Sequence, residues 1–216
     1  MLKKISIVIS LLALAGCVST KNVRIDQHHS EIMHGKTMSV TTSDKPDFAA
    51  MTAGKAMFAM IGAIAMINKG NEIVRTHDVS DPASYISEAL ADQIAAAHSV
   101  SLVRPIVAEK DDDIGVLMAS VRSNSAYILD IRTINWSFAY FPTDWNNYRV
   151  IYSAKLRLID VNGKQVIAEA FCSRVPDQGP ESPSYDQLLD NNAERLKQEL
   201  KQAADYCIQD FQQKVL

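Results

Sequence analysis

The sequence predicts an α+β fold, a mixed α/β sandwich. A mostly antiparallel sheet of about five strands is packed by helices, with an inserted apolar Ala/Met-rich helix and a long C-terminal helix. Three observations predict it. Residues 148–160 alternate, with Tyr148, Val150, Tyr152, Ala154, Leu156 and Leu158 on one face and Arg149, Lys155 and Arg157 on the other. Asn162-Gly163 then turns the chain into a partner strand over 164–175, the pattern of a hairpin. Leu189, Ala193, Leu196, Leu200, Ala203, Cys207 and Phe211 recur at three-and-four spacing, the period of one helix face.

The chain opens with Lys3 and Lys4 before an apolar run from Ile5 to Leu14. That run is too short to span a bilayer as a stable helix, so it reads as a processing signal. It ends in Leu14-Ala15-Gly16-Cys17, which resembles the lipobox of bacterial lipoproteins. The resemblance implies removal of residues 1–16, a diacylglycerol on the Cys17 thiol and a third acyl chain on the new amine. Two or more such chains anchor stably. Val18 and Ser19 follow the cysteine in place of an aspartate. In the sorting pattern of these lipoproteins this implies the outer membrane, on its periplasmic side. Residues 17–35 are polar and aperiodic and are expected to form a flexible lipidated tether. Residues 36–216 are then long enough for one domain with a real core.

Within that domain, Lys36 to Thr42 has strand composition, and Asp44, Lys45 and Pro46 break it. Asp47 to Asn68 is rich in Ala and Met and is expected to be helical, with Gly70 as its C-cap. Met57, Met60, Ile61, Ile64 and Ile67 form its bulky stripe. Asp81 caps a second helix over 79–98, with Pro82 at the first position and Ile86, Leu90 and Ile94 on one face. Ser101 to Ala108 is a strand, and Asp111–Asp113 open a short helix carrying Ile114, Leu117, Met118 and Val121. Ala126 to Tyr140 is a long strand. Its apolar phase moves from Tyr127, Leu129 and Ile131 to Ile134, Trp136, Phe138 and Tyr140, which predicts a bulge near Arg132–Thr133. The last helix is expected to run unbroken from Ser184 to Leu216.

This order of elements resembles the α/β domain shared by the TolB amino-terminal domain, the curli secretion lipoprotein and the lipoprotein activators of penicillin-binding proteins. Tyr85 to Ala91, Ala126 to Asp130 and the turn Asp160-x-x-Gly163-Lys164 carry the resemblance, which covers roughly residues 36–175. It implies a non-catalytic binding or assembly module facing the periplasm. Two other classes stand beside it: a subunit of an oligomeric secretion channel, and a hydrolase of envelope glycan or lipid.

The net charge is −3, and no basic stripe is available to neutralise phosphates, which excludes nucleic acid as a partner. No catalytic, phosphate-binding or dinucleotide motif occurs, so no enzyme activity and no cofactor are expected. His28, His29 and His34 sit near Asp26 and Glu31 in the tether. They read as solvated linker, with a metal site as the alternative. Beyond Cys17, two cysteines remain in an oxidising compartment. A Cys172–Cys207 disulfide is expected to clamp the last helix to the sheet, the alternative being two buried thiols.

Two segments are candidates for a partner surface, namely an envelope protein or a second copy of the chain. Trp136, Tyr140, Phe141, Trp145 and Tyr148 flank Pro142-Thr143 at the tip of a hairpin. Trp and Tyr are favoured interface anchors, and they are equally good core residues. Met57, Met60 and Ile64 on the apolar helix offer the same two readings, since methionine adapts to cores and to partner grooves.

Overall fold

The computed structural model describes residues 21–41, 43–52, 59–103, 112–120 and 125–216, with backbone alone for 59–61. Cys17, the leader, Met57 and the Met60 side chain lie outside the described residues. Among the described residues, six strands form one mixed sheet: β1 (Thr37–Val40), β2 (Ala49–Met51), β3 (Ser101–Val103), β4 (Tyr127–Phe141), β5 (Asp144–Asp160) and β6 (Gln165–Arg174). Their order is β3-β1-β4-β5-β6, with β2 also on β4. The long strands β4, β5 and β6 pair antiparallel. The short β1 and β2 run parallel to β4, in succession along its other edge: Met38 pairs with Tyr127 and Ala49 with Ser137. The break between them is the Asp44-Lys45-Pro46 segment.

Among the described residues, five helices flank the sheet: α1 (Gln27–Met33), α2 (Ala59–Thr76), α3 (Pro82–His98), α4 (Ile114–Ser120) and α5 (Tyr185–Val215). The apolar stripes of α3 and α5 pack on one face of the sheet, where Ile86, Leu90, Leu196 and Phe211 meet Leu129, Tyr152 and Leu156 in one core. On the other face, Leu117 of α4 covers Ile128 and Ile159. The Asp81 carboxylate caps α3 by accepting from the Ala83 N–H at 2.9 Å. Ser184 and Gln187 form a reciprocal capping box at the start of α5. The Cys172–Cys207 disulfide is present, with Cα atoms 5.5 Å apart, and ties β6 to α5. Closing a loop of this size typically stabilises by about 2–4 kcal/mol.

The predicted bulge is found between Thr133 and Asn135. Ile134 is the extra residue. It stands exposed on account of the bulge, while Trp136, Phe138 and Tyr140 rejoin the core face.

Three expectations are corrected. The segment predicted as one helix over 47–68 begins as a strand, and the helix then runs on to Thr76. Gly70 is therefore interior, not a cap. A Cβ there would lie 1.9 Å from the Phe48 carbonyl oxygen, so glycine lets α2 sit directly on the backbone leading into β2. Residues 23–33, expected to belong to a flexible tether, are paired and packed instead. Val23 exchanges two backbone hydrogen bonds with Glu169 on the free edge of β6, and α1 buries Met33 completely. Pairing the edge strand satisfies backbone groups that water would otherwise have to solvate. Finally, α5 is broken. Asp190 is extended, and Asn191, Asn192 and Ala193 all take left-handed backbone angles. Asn tolerates that region through local hydrogen bonding. Ala193 does so without such help, held by complete burial.

Candidate functional site

The β4–β5 hairpin runs the length of the sheet, and its two ends differ in chemistry. At the root, Asp130 on β4 is buried and faces Arg157 on β5. Arg157 donates from Nε and Nη2 to Asp130 Oδ2 at 3.1 and 2.7 Å, and from Nη1 to the Asp112 carbonyl at 2.7 Å. Arg132 Nε and the Thr41 hydroxyl donate to Asp130 Oδ1 at 2.9 and 2.6 Å. Burial by itself pushes the Asp130 carboxyl up. The hydrogen bonds from Thr41, Arg157 and Arg132, with the Arg157 charge, outweigh it and hold the group below its ordinary value. A second carboxyl, the half-buried Asp81, goes the other way: its loss of solvation raises it, despite hydrogen bonds from the Thr133 hydroxyl and the Ala83 N–H. Burial likewise pushes up the Tyr152 phenol, whose oxygen lies 2.9 Å from the Thr133 hydroxyl.

At the tip, Pro142 and Thr143 join the strands. The aromatic cluster divides here. Trp136 is buried, its ring edge-on to Phe48 at 5.1 Å and its Nε1 donating to the Pro46 carbonyl at 2.8 Å. Tyr148 is buried in a mesh with Phe138 and Tyr185. Phe141 is buried beneath the Arg149 guanidinium, 5.3 Å from the ring centre. Tyr140 is half-buried. Trp145 alone among the five stands in solvent, 63% exposed, edge-on to Tyr140 at 6.5 Å. Its Nε1 donates to the Pro142 carbonyl at 3.2 Å. Asp144 stiffens the tip by accepting from Asn147 Nδ2 at 2.6 Å and Gln178 Nε2 at 3.1 Å. The Asn147 bond is the main cause of its carboxyl lying below the ordinary range.

Beside the tip, β6 ends at Arg174 and the 176–183 loop takes its place along β5, with Tyr148 N–H donating to the Pro183 carbonyl at 2.8 Å. A cavity of about 240 Å³ opens there, lined by Arg149, Arg174, Arg195 and Glu199 among others. Sequence reasoning missed these arginines. One signal was available: Arg174 shares the inward face of β6 with Cys172, an unusual place for a cation.

The other predicted site residues are not gathered here. Ile64 stands 65% exposed on α2. Asp26 caps α1, its Oδ1 accepting from the His29 N–H at 2.8 Å, and His29 Nδ1 lies 2.9 Å from the same oxygen. Among the described residues, no group of three or more His, Cys, Asp or Glu is placed to hold a metal, and no helix is long and apolar enough to cross a membrane.

No protein-family model matches the chain, and no curated protein matches it. Solved structures of similar fold include a neuraminyllactose-binding hemagglutinin homologue from Helicobacter pylori. It is 9% identical, with 84% of each chain covered and a TM-score of 0.38. A PelC dodecamer from Paraburkholderia phytofirmans is 12% identical over 84% of this chain and 89% of that one, with a TM-score of 0.34. Lipoprotein GNA1162 from Neisseria meningitidis is 12% identical over 81% of this chain and 99% of that one, with a TM-score of 0.32.

Proposed function

We propose that the chain is an envelope lipoprotein, anchored through Cys17 in the outer membrane, that docks a periplasmic protein partner on the tip of its β4–β5 hairpin and performs no catalysis itself. The observation that carries this is the exposure of Trp145 on a rigid tip remote from the anchor. Val23 joins the sheet at Glu169, which faces Arg157 on β5. Trp145 lies twelve residues along β5 from Arg157, or about 40 Å at strand spacing. The lead from Cys17 to Val23 reaches about 20 Å at full extension. An exposed Trp braced by a hydrogen bond and a ring contact loses little freedom on binding, which suits an anchor residue.

Photocrosslinking in cells, with a photoreactive amino acid in place of Trp145, tests the reading. A discrete adduct identified by mass spectrometry is expected at Trp145 and absent at the control position Lys164, at the other end of the hairpin. No adduct above the Lys164 background would end it. Loss of acyl labelling in Cys17→Ser is the matching test of the anchor. A second reading, self-association through α2, rests on the exposed Ile64. Native mass spectrometry separates the two, since a stable homo-oligomer lost in Ile64→Asp would favour the second.

A further inference from the structure

We infer that the cavity beside the hairpin tip is a binding site for a carboxylate group carried on an apolar stem. It goes beyond the docking reading, because the site stands whether or not Trp145 contacts a protein. Three guanidinium groups line it, and each has a buried nitrogen with no hydrogen-bond partner: Arg149 Nε, Arg174 Nη1 and Arg195 Nε. Their other contacts are accounted for. Arg149 Nη1 donates to the Pro176 carbonyl at 3.5 Å, and Arg174 Nη2 to Gln202 at 3.3 Å. Arg195 Nη2 reaches the Glu181 carbonyl at 3.3 Å and Glu199 Oε1 at 2.9 Å. The nearest anion to Arg174 Nη1 is Glu199 Oε2 at 3.7 Å, too long for a hydrogen bond.

A buried cationic N–H without an acceptor is unfavourable; the three here are closed to the cavity as it stands and become an acceptor site only when their side chains turn toward it. An oxyanion completes it, and guanidinium forks match planar carboxylates. Charge selects among oxyanions. Glu199 is buried in the wall and already offsets one of the three cations, while Asp177 and Glu181 are exposed. A monoanion is therefore favoured over a phosphate dianion. The remaining wall includes Phe141, Val150, Pro176 and Pro183, which suit an apolar stem. A volume of about 240 Å³ admits an acid of amino-acid size.

The test uses the full chain in mild detergent, labelled with ¹⁵N-arginine. N-acetyl-leucine is titrated while the arginine Nε–H signals are followed. Saturable shifts are expected at Arg149 and Arg195, and none with N-acetyl-leucinamide, which lacks the charge. Arg174→Gln and, separately, Arg149→Gln are each expected to weaken binding about tenfold or more, the worth of one hydrogen bond to a charged group. If one variant misfolds, the other carries the test. A leucine-terminated octapeptide with a free acid separates the sources. Tighter binding than N-acetyl-leucine assigns the site to a protein C-terminus, and equal binding assigns it to a small acid. No shift at roughly 10 mM ligand, ten times the Kd of a weak millimolar site, overturns the proposal. So does a response to inorganic phosphate alone, or full affinity in Arg195→Lys, which keeps charge and loses the fork.

Discussion

The root and the tip of the β4–β5 hairpin use the same residue type in opposite ways. At the root, all three nitrogens of Arg157 have acceptors, two on Asp130 and one on the Asp112 carbonyl. At the tip, Arg149, Arg174 and Arg195 each keep a buried nitrogen without one. The matched arginine locks strands together. The unmatched ones leave a cavity whose chemistry is unfinished.

Substitution at the root should break this contrast most strongly. Arg157→Ala removes one partner of a buried pair and should destabilise by about 3–5 kcal/mol. Urea unfolding checks it, and a loss below about 1 kcal/mol would mean that Asp130 is satisfied without Arg157. Replacing both disulfide cysteines comes next. Cys172→Ser with Cys207→Ser opens a link across 35 residues and should cost about 3–4 kcal/mol. Because Cys172 lies two residues before Arg174, hydrogen exchange should rise at the tip end of β6 and leave β4 at the root protected. Equal loosening at both ends would show that the disulfide serves the whole sheet.

The pH dependence sharpens the comparison through two carboxyls with opposite shifts, Asp130 buried and Asp81 half-buried. Asp130 is held below 3.8, so its contribution is complete above 3.8 and is lost as pH falls through its folded value. Asp81 is raised above 3.8, so its contribution is complete below 3.8 and is lost as pH rises through its folded value. The stability deficit of Asp130→Asn should therefore shrink in acid. Relative to wild type, Asp81→Asn should gain as pH rises through the range where the native Asp81 ionises. Unfolding curves at stepped pH test both, and parallel curves for the variants and wild type would contradict the assignment. The smallest effect is at the tip: Trp145→Ala should change stability by no more than about 0.5 kcal/mol, since its ring contact and hydrogen bond are both solvent-exposed.

Much of this fold is legible in the chain because it rests on local patterns. The Tyr148–Leu158 alternation, the Asp81-Pro82 start of α3 and the bulge in β4 each follow from periodicity or cap chemistry within a dozen residues. The Cys172–Cys207 pair was legible too, because each cysteine sits in phase with an apolar face. What failed was of another kind. Residues 49–51 lie in a helix-favouring segment yet form β2, because the free edge of β4 supplies hydrogen bonds that local propensity does not count. Val23 was read as tether because a polar segment gives no sign that an edge strand waits for it 146 residues later. The aromatic cluster around Pro142 reads in sequence as one group. Only packing separates Trp136, buried against Phe48, from Trp145 in solvent.

By itself, the sequence determined the fold class, the order of most elements, the Asp81 cap and the phase of most core faces, since hydrophobic periodicity and turn chemistry act within a few residues. The tertiary structure alone decided which edges are paired, where α5 breaks and which aromatic is exposed. It alone brought Arg149, Arg174 and Arg195 to one cavity from β5, β6 and α5. Convergence of that kind depends on distances between elements remote in the chain, and no local pattern encodes them.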